Sequence, residues 1–341
     1  MILPAFISFA DRQLLDTEFS LSSLSGLKNL LDDIPTTATT VRVLARYDVS
    51  GTQAEKVRCA VCHAARHHRG FHVETEFGEA LLGRDCGRNR FKLDWDKEEH
   101  RFETAVARKA ALERMLDAVP LVEEMLALEH EMVDGAERQA GFVTLLRSQH
   151  GKLSQAIARA VRDHGGALQY PVKVRDREAE EARARSIVPW LVQDLEEAKG
   201  TISRNSARRS LDRWIEVNAV TERTEFRTAG ILRGGHCLFS DNLVGRLKAA
   251  IALLRGLASQ LEIGPVDPST FVDRVRTAGH VFEEVAELNK HLDEFTGRPN
   301  RQIIADWSTK VGVAARIPLV DPWASSSEPV VGRLWEAVGR A

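Results

Sequence analysis

Lys56-Val-Arg-Cys59-Ala-Val-Cys62-His-Ala-Ala-Arg-His67-His68-Arg-Gly-Phe-His72, continued by Gly83-Arg-Asp-Cys86-Gly87, is the stretch that sets one part of this chain apart from the rest. A Cys-x2-Cys turn lets two thiolates reach one ion, and zinc takes four ligands in a tetrahedron, drawn from Cys and His. Cys59, Cys62 and Cys86 supply three. His67, between the turn and the following strand, is the preferred fourth ligand, with His68 next. His63 abuts Cys62 and points away, and His72 lies on a strand that can face either side.

The local pattern around these residues is β-rich. Phe71-His-Val-Glu-Thr-Glu-Phe alternates and ends at Gly78, which predicts a strand, and Glu79–Gly83 reads as its hairpin partner. Cys86-Gly87 then falls where a helix begins. Knuckle, hairpin and helix in that order are treble-clef-like. Four protein ligands leave no open coordination position, so the expected zinc is structural. A catalytic zinc would need one ligand to leave and Glu74 or Glu76 to act as base.

Outward from this segment the chain turns helical. Residues 94–134 contain no glycine, and Met115, Val119, Val122, Leu126 and Val133 give a heptad-like seam. Pro120 predicts a kink or restart. Tyr170–Val174 reads as a short strand, 175–199 as helical with Pro189 inside it, and 206–226 as helix. Gly230–Phe239 reads as a glycine-rich connector or hairpin. Asp267-Pro268 opens another helix in the favoured cap-then-proline order, and Asn300 is placed to cap the last one. Upstream, Leu21–Leu31 has helical spacing, residues 1–10 read as a strand or buried arm, and Thr40–Val49 reads as a strand. The fold class is mainly α: a helical bundle with long helices and a small β-containing zinc-finger module near the N-terminus. The segments are 1–55, 56–93, 94–165, 166–310 and a weakly structured tail, 311–341, docked by Trp323 and Trp335.

The whole-chain arithmetic narrows the function. There are 341 residues with 47 Lys+Arg against 49 Asp+Glu, so a net charge of −2 excludes coating nucleic acid by bulk charge. Four cysteines are too few for a disulfide scaffold, and residues 1–10 lack the charged start and long apolar core of a secretory signal, so the expected location is a reducing cytoplasm. No apolar run is long enough to span a membrane. Cys237 follows Gly230-x3-Gly234-Gly235-His236, which lacks the ending of a phosphate loop, and it reads as a buried small hydrophobe.

Charge is uneven along the chain. Residues 56–92 carry eight Lys/Arg against four acids. Arg58, Arg66, Arg69, Arg84, Arg88, Arg90 and Lys92 are therefore candidate phosphate contacts. Residues 199–213, with Lys199, Arg204, Arg208, Arg209 and Arg213 against Asp212, form a second basic run.

The positions Cys59, Cys62, His67, Gly70, Phe71, Gly83, Cys86, Gly87 and Phe91, followed by a long charged helix, resemble zinc-finger segments of largely uncharacterised bacterial and phage-associated helical proteins. That resemblance spans about 35 residues and implies a zinc site with no defined activity. The combined expectation is a zinc-binding scaffold that contacts nucleic acid through the basic finger, or a protein partner through the 94–134 helix. A metal-dependent hydrolase or nuclease is the alternative.

Overall fold

Ser8 starts the first helix. Its hydroxyl accepts from the Asp11 amide at 3.1 Å and donates to the Asp11 carboxylate at 2.7 Å, a capping arrangement that satisfies an otherwise orphaned N–H. Helix α1 (Phe9–Asp16) thus begins inside the stretch expected to be an extended arm. The computed structural model describes residues 5–52, 56–318, 320–323 and 327–339, and every side chain among them except that of Arg66. Helices make up 62% of it, so the architecture is mainly α with small sheets.

The next segment corrects a second expectation. Leu21–Leu31 is not helical. Strand β1 (Ser20–Leu21) runs parallel to β2 (Arg42–Asp48), and Leu21, Leu24, Leu27 and Leu30 pack from a loop onto Tyr47, Val49, Val57 and Leu81. Ser23 and Ser25 bond to each other at 3.0 Å, and such short polar side chains favour turns over helix.

Two short strands, β3 (Val57–Arg58) and β4 (Ala65–His67), pair antiparallel. The hairpin β5 (Arg69–Thr75) and β6 (Gly78–Leu82) follows as the sequence predicts, and completes a four-stranded sheet in the order β1-β2-β5-β6. Helix α2 (Arg84–Phe91) carries Cys86 in its first turn. Helix α3 (Leu93–Ala127) then runs for 35 residues with Pro120 inside it, so the helix does not restart there. The break comes at Leu128 instead. An interior proline costs about 3 kcal/mol, and burial of Ala118, Leu121 and Val122 around it offsets that cost.

The remaining elements are α4 (Glu129–Gln149), α5 (Gly151–Asp163), β7 (Ala167–Arg175), α6 (Arg177–Ile187), α7 (Pro189–Glu197), α8 (Thr201–Asn218), β8 (Glu222–Ile231), α9 (Leu243–Ile263), α10 (Pro268–Phe295), α11 (Arg298–Val311) and α12 (Ser327–Val338). They fall into two units. One comprises 1–132, 245–283 and 326–341, and the other 133–244 and 284–325. The unit holding the cysteine segment therefore also draws on two distant stretches, so consecutive segments of sequence do not correspond to the units.

In the first unit, the sheet and α2 pack against α3 through Phe71, Phe91, Trp95 and Phe102. The tail is not weakly structured throughout. Helix α12 buries Val330, Val331, Leu334, Trp335 and Val338, and it packs along α3. The buried face of α3, including Met115 and Val122 of the heptad-like seam, is thus part of the core of the first unit.

In the second unit, β7 and β8 form a two-stranded antiparallel ribbon, and α6–α8 are inserted between them. Phe226 lies on β8, not on a helix. Thr221-Glu-Arg-Thr-Glu-Phe-Arg-Thr is β-branched at regular intervals and pairs with β7. The insertion has its own small core of Ala184, Val188, Val192, Leu211 and Ile215. Asn300 does not cap α11. It is buried, and its amide donates to the carbonyls of Arg233 at 2.8 Å and Phe295 at 3.1 Å. Cys237 is fully buried, and burial pushes its thiol up to about 12, as befits a packing residue.

Candidate metal centre

The knuckle is built by backbone. After β3 the amide of Cys59 donates to Ala64 O at 3.2 Å, and the amide of His63 donates to Cys59 O at 2.8 Å. This closes the turn and orients Cys59 and Cys62 together. His63 takes φ +60° to complete it, a left-handed position that a non-glycine residue adopts only at some cost. Its ring turns away to Asp33, 3.4 Å from Nε2. His63 is therefore the turn residue of the knuckle, a role that its sequence position next to Cys62 does not reveal.

Two more backbone bonds seat the knuckle. Ala60 N donates to Leu81 O on β6 at 2.9 Å, and Ile34 N donates to Ala60 O at 2.9 Å. The third cysteine arrives from the other side on α2. Gly87, directly after Cys86, lies flat on the Trp95 ring, where any Cβ would collide with the indole. That contact lets α2 lie close enough to α3 to bring Cys86 to the knuckle.

The result is a cluster in which the sulfurs of Cys59, Cys62 and Cys86 all lie within 4.8 Å of one another. Sulfurs around a tetrahedral zinc with 2.3 Å bonds stand about 3.8 Å apart, so the three are arranged for one ion. All three are free thiols, with Cys59 buried, Cys86 half-buried and Cys62 exposed. Burial pushes the Cys86 thiol up to about 12, reinforced by hydrogen bonding to Cys62 and Cys59. Crowding three sulfurs makes their ionisation costly without a cation, and a divalent metal reverses that cost.

No histidine nitrogen joins the sulfur cluster among the described residues. His67, on β4, places Nδ1 2.9 Å from the Tyr47 hydroxyl, while its Nε2 is buried without a hydrogen-bond partner. The His67 ring lies against Gly83, the residue before α2, close enough that a Cβ there would touch Nε2. Burial, with a smaller contribution from His68, lowers the His67 pKa and favours the neutral imidazole. His68 likewise has a buried, unpartnered Nδ1. His72 is spoken for by Glu79 at 2.9 Å.

The two carboxylates considered as bases are committed elsewhere. Glu76 accepts from the amide of Thr39 at 2.6 Å and the hydroxyl of Thr40 at 2.5 Å, with the Thr40 bond foremost in lowering its pKa to about 2. Glu74 faces Arg42 at 3.6 Å.

Most of the basic finger is also committed. Arg84 and Arg88 close on the buried Glu99 of α3 at 2.6 Å and 3.8 Å, and Arg69 pairs with Asp48 at 2.7 Å. Arg90 donates to the Pro35 carbonyl at 2.8 Å. Arg58 and Lys92 are exposed with no ion pair among the described residues, and the Arg66 side chain lies outside them. In the second basic run, Arg208 reaches Glu181 at 3.4 Å and Asp212 at 3.8 Å, whereas Arg204, Arg209 and Arg213 face solvent.

No protein-family model matches the chain, and no curated protein or solved structure matches it either.

Proposed function

We propose that Cys59, Cys62, Cys86 and His67 hold one Zn²⁺ as a structural clamp in a helical scaffold protein. The observation that carries this reading is the convergence of three thiols from two separate segments, all within 4.8 Å. The orphaned Nε2 of His67 supports the choice of fourth ligand, because the Tyr47 hydroxyl can accept from Nδ1–H and leave the Nε2 lone pair for the metal. When bound, zinc would join the β3–β4 knuckle to the start of α2 and so fix the small sheet on α3. A module of this size gains much of its folding free energy from such a metal.

The structural role is favoured over catalysis on specific grounds. With His67 as the fourth ligand the coordination shell would have no open position, and Glu74 and Glu76 are held by Arg42 and by Thr39 and Thr40. The arginines that would make the finger a phosphate-binding surface serve largely to fasten the module: Arg84 and Arg88 to α3, Arg90 to the loop before β2. Cobalt substitution tests the reading. Co²⁺-loaded protein should show tetrahedral d–d bands with thiolate charge transfer. A six-coordinate spectrum would sink the proposal.

A further inference from the structure

The second unit carries a cavity between α5 and the ribbon, about 210 Å³ in volume. One wall is the ring of Phe226 on β8, 60% exposed for so large an aromatic side chain. Also lining the cavity are Arg159 on α5 and His164, the residue that ends that helix, both exposed and without an ion pair among the described residues. Ala156, Ala160 and Ala167 line the rest together with Gln169, and no carboxylate lines it. The small side chains are what keep the space open, since any bulkier residue at those positions would fill it.

An aromatic side chain, an amide, an arginine and a histidine in a lining without a carboxylate suit a ligand that is planar and anionic. We infer that this cavity receives a nucleotide unit of single-stranded nucleic acid, with the base stacked on Phe226 and the adjoining phosphate met by Arg159 and His164. Bases stack on aromatic side chains with little regard to sequence, and Arg beside them neutralises backbone charge. A duplex keeps its bases paired and offers no free face to Phe226. The inference does not depend on the metal site, and it assigns the nucleic-acid contact to residues of the second unit and not to the finger, where the arginines are mostly tied down.

Fluorescence anisotropy of the full chain with a labelled oligothymidylate of about 15 nucleotides is the test. Saturable binding that weakens between about 50 and 200 mM salt is expected. Phe226→Ala and Arg159→Ala should each weaken it about tenfold or more, whereas Phe226→Tyr retains it. Both positions are exposed, and circular dichroism of each variant should match the wild type. Thymidine monophosphate should compete only weakly, since it brings one phosphate and none of the strand. Binding that is absent, equal for a duplex of the same length, matched by the mononucleotide, or unchanged in Phe226→Ala would overturn the inference.

Discussion

The Tyr47 hydroxyl stands 2.9 Å from Nδ1 of His67, and the opposite nitrogen of that ring is buried without a partner. Tyr47 is itself 2% exposed and is packed against Gly70, where a Cβ would strike the phenol. The pair thus fixes the ring from the outside. Removing an outer partner of a metal-bound histidine costs about 10–100-fold in metal affinity. Tyr47→Phe should lower zinc affinity by that amount in chelator competition, with the ring still filling its place. His67→Ala should lower it further, and His68→Ala should leave it near the wild type. If His68→Ala weakens zinc and His67→Ala does not, His68 is the fourth ligand.

Gly87→Ala tests how α2 delivers Cys86. The added methyl meets the Trp95 ring, and overpacking of this kind costs about 1–3 kcal/mol. The urea midpoint should fall accordingly, and zinc affinity should fall with it because Cys86 is the adjacent residue. An unchanged midpoint would show that α2 can shift freely on α3.

Glu180 on α6 is fully buried, and although burial raises its pKa, the amides of Thr221 and Val220 and the Arg183 guanidinium outweigh this and hold it at about 2, against an ordinary value of 4.5. A depressed carboxylate pKa stabilises the fold above the unfolded value and ceases to do so as pH falls toward the folded one. Glu180→Gln should therefore lower the melting temperature at neutral pH. The difference from wild type should shrink as pH drops from 4.5 toward 2. Thermal scans at a series of pH values give the answer, and a difference independent of pH would contradict the assigned bonds.

Leu334 on α12 is fully buried. Leu334→Ala should cost about 2–5 kcal/mol by urea denaturation, as for other buried leucines. A loss under about 0.5 kcal/mol, typical of surface substitutions, would mean that the C-terminal helix contributes little to the first unit.

The sequence shows the helical class and the cysteine segment because both rest on local signals. The spacing of Cys59, Cys62 and Cys86, the alternation of Phe71–Phe77 and the turn at Gly78 all survive in the structure as knuckle, hairpin and helix start. What it hides is set by tertiary context. Leu21–Leu31 has helical spacing but is used as a loop that covers Tyr47 and Leu81. Pro120 does not break α3 because its neighbours are buried. The net positive charge of the finger does not reveal that Arg84 and Arg88 meet Glu99, since that carboxylate lies on the following helix. Likewise, the cavity beside Phe226 exists only because β8 pairs with β7, from which it is separated by three helices.

Metal analysis of the purified chain is the most direct test of the clamp. Elemental measurement should find about one zinc per chain in the wild type and in Cys237→Ala, and little or none in Cys86→Ser, with a single ion shared by the whole ligand set. Wild-type protein without bound metal that also fails to take up zinc on titration would contradict the account.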